Sequence, residues 1–330
     1  MKRREFIAGL GAAAAWPTLA RAQQPIRRIG VLWPMDKDEP VRKLWHAAFV
    51  QGLAELGWIE GRNLRIEVRW NPRTTDEMRV AAKELVDLQP DLLVSSTGRL
   101  TRAMQQYTRT IPIVFVGAGD PLASGIVTSL SRPDANTTGV TDIFPSIAGK
   151  WLELLKQCVP NLGRVALMFN PDPVNSIFID SIEEAAVKAG AQYGVDPIKA
   201  SFRNVDEIQS AITAFAAQPG GGLIVVPPPP TGSERELINR LAIQYRMPAI
   251  YQDKSFAVEG GLLSYGADML DMFAHGGPPY VDRILRGAKP GDLPVLFPAK
   301  FTLVVNLKTA KAIGLTIPES FLLRPYTLAS

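Results

Sequence analysis

Cysteine and histidine are scarce in this sequence of 330 residues. Cys158 is the only cysteine, so no disulfide can form within the chain and the fold must depend on a buried core. The two histidines, His46 and His275, stand far apart, and no cysteine or histidine cluster has the spacing of a metal site. We therefore expect neither a disulfide scaffold nor a metal centre, and no cofactor.

Motifs for nucleotide binding and for nucleophilic hydrolysis are also missing. Gly149-Lys150 lacks the earlier glycine of a phosphate-binding loop and is followed by Trp151. Gly117-Ala118-Gly119 lacks the third glycine of a dinucleotide fingerprint, because Leu122 holds that position. No G-x-S-x-G elbow occurs. These absences favour a binding protein over an enzyme, although a carboxylate pair brought together by folding is an alternative.

The apolar run at the amino terminus is shorter than the roughly 20 residues that a membrane-spanning helix needs. It follows Lys2, Arg3 and Arg4, and it leads through Pro17 to Ala20-Arg21-Ala22. This order predicts a signal peptide over residues 1–22, with Gln23 as the first residue of the mature chain. The pair Arg3-Arg4 favours the twin-arginine export route, with general export as the alternative. The expected location is the periplasm.

Little net charge remains once that segment is removed. It carries four basic residues and one acidic residue, so the formal net charge falls from +4 to +1. A near-neutral chain gives no electrostatic reason to expect a nucleic-acid partner. The 308 residues that remain suit two domains of ordinary size.

Apolar runs alternate with helical patterns along the rest of the chain. Several runs are continuous, as in parallel strands that are covered on both faces. Helical patterns at Val41–Gly57 and Glu77–Leu88 lie between them, and Gly57 suits a helix C-cap. The alternation predicts a doubly wound α/β fold. The predicted strands are RIGVLW (28–33), LRIEVRW (64–70), DLLVSS (91–96), IPIVFV (111–116), RVALMF (164–169), GLIVVP (222–227), PAIY (248–251) and GLLSY (261–265).

A weak internal repeat predicts two similar lobes. RIGVLWP starts at Arg28 and RVALMFNP at Arg164, an offset of 136 residues, which is close to the length of one α/β domain. Predicted crossings near 137–144, 264–268 and 298–300 give a hinge on which the lobes can close. Lobe 1 would comprise residues 23–142 and 267–298, and lobe 2 residues 143–266 and 299–330.

Residues that follow strands are candidate ligand contacts, because open α/β sheets bind ligands beyond the carboxyl ends of their strands. Ser95, Ser96 and Thr97 offer hydroxyl and backbone N–H groups ahead of a helical pattern, which suits a ligand carboxylate; plain helix capping is the alternative. Trp33, Tyr251 and Tyr265 are candidates for an aromatic wall, although each also suits a core position.

Three further candidates follow other strands. Gly117 permits close approach of a ligand to the backbone or, alternatively, a tight turn. Asp120 either accepts from a ligand amine or caps the next helix. Asn170 is a candidate polar contact from the second lobe.

Five long segments carry a resemblance to a known family. They are AAFVQGLAELGWIEGRNLRIEVRW (47–70), TIPIVFVGAGDPLASGIVTSLSRPDANTTGVT (110–141), RMPAIYQDKSFAVEGGLLSYGAD (246–268), YVDRILRGAKPGDLPV (280–295) and PAKFTLVVNLKTAKAIGLTIP (298–318). The chain resembles the ABC transporter substrate-binding proteins of the tryptophan/tyrosine type, a periplasmic-binding-protein-like family. The resemblance covers nearly the whole chain.

The resemblance implies two Rossmann-like lobes joined by a hinge, of the type I periplasmic-binding-protein kind, with a small solute in the cleft. It also implies delivery to a membrane permease whose ATPase is a separate chain. It places cleft contacts at 95–97, 117–120, Asn170 and the turns of Tyr251 and Tyr265. We predict that the ligand is a small carboxylate, such as an aromatic amino acid or organic acid, and we expect a monomer. A receptor that signals to a membrane sensor and a periplasmic hydrolase are the alternatives.

Two stretches depart from the pattern of that family. Pro227 to Pro230 stand where members commonly carry a proline with polar residues. Because proline has no N–H donor, a polar contact from the second lobe is expected to be lost or replaced by an apolar wall. Pro278 and Pro279 are expected to interrupt the helix before YVDRIL.

Overall fold

The computed structural model describes residues 26–34, 40–70, 72, 74–133, 135–171, 176–226, 232–323 and 327–328. The predicted signal peptide and the Pro227 to Pro230 run lie outside these ranges. No helix in the described ranges is long and apolar enough to cross a membrane.

The first sheet is entirely parallel and has the strand order β2-β1-β3-β4-β5. The central strands β1, β3 and β4 are short and mostly apolar, and most of their residues are fully buried, as the continuous apolar runs predict, whereas the edge strand β2 is mostly half-buried. They are β1 (Arg27–Trp33), β2 (Leu64–Trp70), β3 (Leu92–Ser95), β4 (Ile113–Val116) and β5 (Thr137–Val140).

The second sheet has seven strands in the order β12-β11-β10-β9-β8-β6-β7. All neighbours are parallel except β10 and β11, which are antiparallel. The strands are β6 (Arg164–Phe169), β7 (Asp196–Ser201), β8 (Gly221–Val225), β9 (Ala249–Tyr251), β10 (Leu263–Ala267), β11 (Phe301–Val305) and β12 (Thr327–Leu328).

The two sheets repeat one topology, which confirms the doubly wound α/β fold and the tandem repeat. In the first sheet the order begins 2-1-3-4-5, and β7-β6-β8-β9-β10 reproduces it in the second. The repeated sequences RIGVLWP and RVALMFNP form β1 and β6, which occupy the same place in the two sheets. The strand order reverses beside this place, where doubly wound sheets bind ligands.

Helices cover both faces of each sheet. Along β1, Val31 and Trp33 pack against α1 and the helical segment 269–285, whereas Leu32 packs on the opposite face against α2 and α3. The helices are α1 (Pro40–Glu55), α2 (Thr75–Asp87), α3 (Gly98–Tyr107), α4 (Ile147–Cys158), α5 (Ser176–Tyr193), α6 (Val205–Ala216), α7 (Gly232–Gln244), α8 (Lys254–Val258), α9 (Met269–Asp271), α10 (Gly277–Leu285), α11 (Leu307–Ala312) and α12 (Glu319–Leu322).

The chain passes between the sheets three times. After β5 it continues into the second sheet, after β10 it returns to pack on the first sheet, and before β11 it comes back to the second. Leu296 pairs with β5, since its N–H donates to the carbonyl of Gly139 at 3.1 Å and its carbonyl accepts from Thr141 at 2.9 Å. The residue boundaries of the lobes stay a prediction.

The predicted interruption at Pro278 and Pro279 takes a different form. These prolines stand in the first turn of α10, where their missing N–H groups cost little. A π-helical turn over Met272–Gly276 precedes them, and Gly277 N–H donates to the carbonyl of Met272. The segment 269–285, called here the bulged helix, is therefore helical throughout rather than broken.

Candidate ligand-binding cleft

A cleft of about 450 Å³ lies between the two sheets, at the carboxyl ends of their strands. Lining residues follow β1, β3, β4 and β5 of the first sheet, and β9 and β10 of the second. This is where a doubly wound fold places its ligand. The described lining residues are Pro34, Trp45, Ser96, Thr97, Gly117, Asp142, Gln252, Asp253, Lys254, Gly266, Ala267, Asp268, Met269, Phe273 and Thr302.

The amino terminus of α3 forms one pole of the cleft. The side chain of Thr97 caps α3 by accepting from Leu100 N–H at 3.2 Å. The hydroxyl of Ser96 is buried and has no hydrogen-bond partner within the described residues. A helix amino terminus attracts negative charge, and a buried hydroxyl without a partner is costly. Both features suit an anionic ligand group.

The carboxylate of Asp142 forms a second pole of the cleft, which suits a cationic ligand group. It accepts from Gly119 N–H at 2.9 Å and lies 3.4 Å from Nε2 of Gln252. Part of Asp142 faces the cleft, but the surrounding protein desolvates the carboxyl group and so raises its pKa. Positive φ angles at Gly117 and Gly119 allow the loop after β4 to turn toward this carboxylate.

Further acidic residues give the cleft an excess of negative charge. Asp253 caps α8 by accepting from Ser255 N–H at 2.8 Å, and Asp268 caps α9 by accepting from Asp271 N–H at 3.2 Å. Lys254 is the one basic residue among the described residues of the lining. A ligand with a cationic group and a carboxylate would match this arrangement.

Aromatic residues form an apolar wall at a place that the sequence analysis missed. Trp45 of α1 and Met269 line the cleft, and Trp45 stacks on the fully buried Phe273 of the bulged helix with ring centroids 5.3 Å apart. Phe273 also packs edge to face on Trp33, at 5.2 Å. The wall is therefore fixed by the core of the first lobe, and it can take an apolar or aromatic ligand group.

The predicted aromatic candidates do not line the cleft. Trp33 is fully buried, and its indole N–H donates to Nδ1 of His46 at 3.1 Å. Burial lowers the pKa of His46, which suits its role as a neutral acceptor. Tyr251 is buried and stacks on Phe256 at 4.4 Å, and Tyr265 stacks on Phe301 at 5.4 Å. Trp33 and Tyr251 therefore lie in the core, and Tyr265 is half-buried and packs against it.

The remaining candidates divide between the cleft and other positions. Gly117 lines the cleft. Ser95 is fully buried and its hydroxyl bonds that of Thr101 at 2.7 Å. Asp120 caps the turn after β4 by accepting from the N–H groups of residues 122 and 123. Asn170 is half-buried and is not among the described lining residues.

Asp142 and Asp268 were missed although the sequence carried a signal for each. Both follow predicted strands, in TTGVTDIF and LLSYGAD, at places where the sequence predicts crossings between the lobes. Trp45 gave no such signal, because its helix position is equally typical of a core residue.

Comparisons with known proteins match the chain to a family along nearly all its length. The model of the family described as "ABC transporter substrate binding protein" matches residues 28–328. A tyrosine-binding protein of Clostridioides difficile is 26% identical over 268 residues, which cover 81% of this chain and 75% of that protein.

Two solved structures share the two-lobe fold. A conserved domain protein of Vibrio cholerae superposes with a TM-score of 0.80 at 26% identity, over 92% of this chain and 99% of that one. An ABC domain of Streptococcus pneumonia in complex with L-Trp superposes with a TM-score of 0.79 at 25% identity, over the same shares of the two chains.

Proposed function

The chain belongs to the ABC transporter substrate-binding protein family, and on that premise we propose that it is the exported solute-binding component of an uptake system. In this proposal it captures a small amino acid or organic acid in the cleft and delivers it to a membrane permease. The signal peptide over residues 1–22, the periplasmic location and the hinge between the two lobes are parts of the same proposal. The chemistry is reversible binding.

The observation that carries the proposal is the unpartnered hydroxyl of Ser96 at the amino terminus of α3. A ligand carboxylate placed there would accept from this hydroxyl and from free N–H groups of the first helical turn. Hydrogen bonds to a charged group contribute about 1.5–3 kcal/mol each. Ser96, Thr97 and Gly117 are thus the predicted contacts that we retain.

The second pole favours an amino acid over a simple acid. Apart from its own backbone N–H, the carboxylate of Asp142 accepts from Gly119 N–H at 2.9 Å and, at a long 3.4 Å, from Nε2 of Gln252. An ammonium group would pair with this carboxylate and offset its desolvation. The names of two similar proteins, a tyrosine-binding protein and a domain in complex with L-Trp, point to the same ligand class.

The wall of Trp45, Phe273 and Met269 would receive the ligand side chain. An aromatic ring buried there would gain from area burial and from edge or stacking contacts. We therefore propose an aromatic amino acid, with L-tyrosine and L-tryptophan as the first candidates.

Contacts from both lobes explain how such a ligand would close the cleft. Ser96 and Thr97 belong to the first sheet, whereas Gln252 and Lys254 follow β9 of the second. A ligand that touches both sides binds the closed state better than the open one, and it shifts the population by that difference in affinity. The closed form then presents the surface that a permease would recognise.

A thermal-shift screen tests the ligand class. The chain from residue 23 onward would be unfolded and refolded to remove carried ligand, and then tested with amino acids, aromatic acids, short carboxylates, sugars and nucleosides. A ligand at 100 times its Kd adds about 2.7 kcal/mol of stability. A shift with aromatic amino acids, which are recovered unchanged, is expected. A shift only with sugars or nucleosides, or turnover of the ligand, would contradict the proposal.

Uptake of the ligand by cells tests the transport role separately. Cells that lack this chain should import the radiolabelled ligand more slowly than cells that have it. Equal import, with binding intact in vitro, would instead favour a receptor that serves a sensor.

A further inference from the structure

A second cavity, of about 240 Å³, borders the bulged helix away from the residues that line the cleft. The cleft takes Met269 and Phe273 from this helix, whereas the second cavity takes Met272, His275 and Pro279. We call it the connection cavity, because its other wall is the connection 294–299 that leads to β11. No described residue lines both the connection cavity and the cleft.

The floor and walls of the connection cavity are mostly apolar. Met272 and Val140 are buried beneath it. Leu296 and Phe297 stand on its rim with 51% and 48% of their surface exposed, although both are large apolar side chains. Hydrogen bonds between Leu296 and the end of β5 hold this rim in place. The exposed apolar surface therefore belongs to a fixed concave site, and an apolar molecule would cover it favourably.

Among the described residues that line the cavity, one cationic side chain has no charged partner. Asp271 is satisfied, because its carboxylate bonds Lys300 Nζ at 2.5 Å and His275 Nδ1 at 2.9 Å. Arg283 lines the cavity, and its guanidinium makes no ion pair or hydrogen bond with any described residue, although its backbone carbonyl accepts from Ala288 N–H at 2.9 Å. Tyr280, one turn away, already donates its hydroxyl to the carbonyl of Pro294. The free guanidinium is thus the group available to a ligand.

We propose that the connection cavity is a second ligand-binding site, for a small apolar carboxylate. The apolar body would lie on Met272, Leu296 and Phe297, and the carboxylate would take the unpaired donors of Arg283. A planar guanidinium fork binds a carboxylate through two parallel hydrogen bonds. This site needs no ammonium group on its ligand, in contrast to the cleft, and it stands independently of the function proposed for the cleft.

Methionine methyl resonances can report the two sites separately. Met272 lines the connection cavity and Met269 lines the cleft. The chain from residue 23 onward, labelled with ¹³C-methyl methionine, would be titrated with benzoate, and the two signals assigned from the Met272→Leu and Met269→Leu variants. Benzoate should shift the Met272 signal saturably. Benzamide, which has the same shape without the charge, should shift it at least about tenfold less effectively.

One arginine variant and one lysine control decide whether benzoate binds at the proposed site. Arg283→Gln should lower the affinity for benzoate, measured at the Met272 signal, at least about tenfold, since it removes the charged partner. Lys289→Gln, which removes an exposed cation outside the cavity, should leave the affinity unchanged. Both positions are exposed, so neither change threatens folding.

A cavity-filling variant gives an independent check. A Cβ at Gly276 would meet Val140 only at ordinary contact distance, 3.5 Å, so Gly276→Leu can place its side chain in the cavity. Its unfolding transition should stay cooperative and the benzoate shift at Met272 should vanish. A silent Met272 signal, a shift at Met269 alone, or equal affinity in Arg283→Gln would overturn the proposal. A shift at Met269 alone would assign benzoate to the cleft, whereas the other two results would not bear on binding there.

Discussion

The side-chain amide of Gln252 lies 3.4 Å from the carboxylate of Asp142, and the same carboxylate accepts from Gly119 N–H at 2.9 Å. Asp142 thereby joins the loop after β4 in the first sheet to the turn after β9 in the second. A partly exposed, desolvated carboxylate between two lobes destabilises the folded protein, because its charge has no cationic partner in these contacts. This carboxylate is well placed to bind a cationic ligand group.

Asp142→Asn should raise the free energy of unfolding at pH 7. Asparagine keeps an acceptor for Gly119 N–H and removes the buried charge. Desolvation raises the pKa of Asp142 in the folded state, so the folded protein binds this proton more tightly than the unfolded chain does. The contribution of Asp142 to stability is therefore most unfavourable above the folded pKa and improves as the pH falls through it. Urea unfolding of both proteins at pH 7 and pH 5 should show the advantage of asparagine shrinking at the lower pH.

The same variant should separate ligands by their amine. L-Tyrosine is expected to bind Asp142→Asn at least about tenfold more weakly than it binds the natural chain, because a charged hydrogen bond is lost. Its analogue without the amine, 3-(4-hydroxyphenyl)propanoate, should bind both proteins alike. Calorimetric titration measures both ligands, and an equal loss for the two would show that Asp142 does not hold the amine.

Ser96→Ala and Ser95→Ala form a matched pair at the amino terminus of α3. Ser96→Ala removes a buried hydroxyl without a partner, so stability should be unchanged or slightly higher while affinity for L-tyrosine falls about tenfold. Ser95→Ala removes the hydroxyl that bonds Thr101 and should cost about 1 kcal/mol of stability without changing affinity. Denaturant unfolding and calorimetry measure the two effects. Tight binding by Ser96→Ala would exclude this hydroxyl from the site.

Gly139→Ala should destabilise the first lobe strongly. A Cβ at Gly139 would stand 2.0 Å from the carbonyl oxygen of Phe115, in the neighbouring strand β4, and the φ angle of Gly139 is +155°. Strand separation and backbone strain together should cost about 3 kcal/mol or more. Gly163→Ala is the control, because nothing lies within 4 Å of its added Cβ. An unfolding temperature that is lowered equally in both variants would refute this account.

The mature chain is expected to begin at Gln23, since Ala20-Arg21-Ala22 offers the small residues that a signal peptidase cleaves after. Mass spectrometry of the exported protein checks the cleavage point. Replacing Arg3 and Arg4 by lysine should block export by the twin-arginine route. Undiminished export of this variant would assign the chain to general export.

The pattern of residues along the chain is enough to predict the doubly wound α/β fold. Continuous apolar runs such as RVALMF are typical of strands in a sheet that is covered on both faces, and each predicted run overlaps an observed strand. β7 escaped prediction because it is an edge strand whose residues are mostly exposed, so it carries no apolar run. The repeated strands β1 and β6 gave the tandem topology.

Which side chains reach the cleft depends on how distant segments of the chain pack together. Periodicity tells that Trp33 and Tyr251 end apolar strands, but the direction of each side chain depends on which sheet face its neighbours cover. Trp33 faces α1 and the bulged helix, while Trp45 and Phe273 come from distant parts of the chain to stack beside it. Ser95 and Ser96 show the same limit within two residues: one bonds Thr101 inside the lobe, and the other leaves its hydroxyl free at the cleft wall. Successive residues of an extended chain point to opposite faces, so the two side chains differ in direction. The packing of the surrounding elements decides which of the two faces lines the cleft.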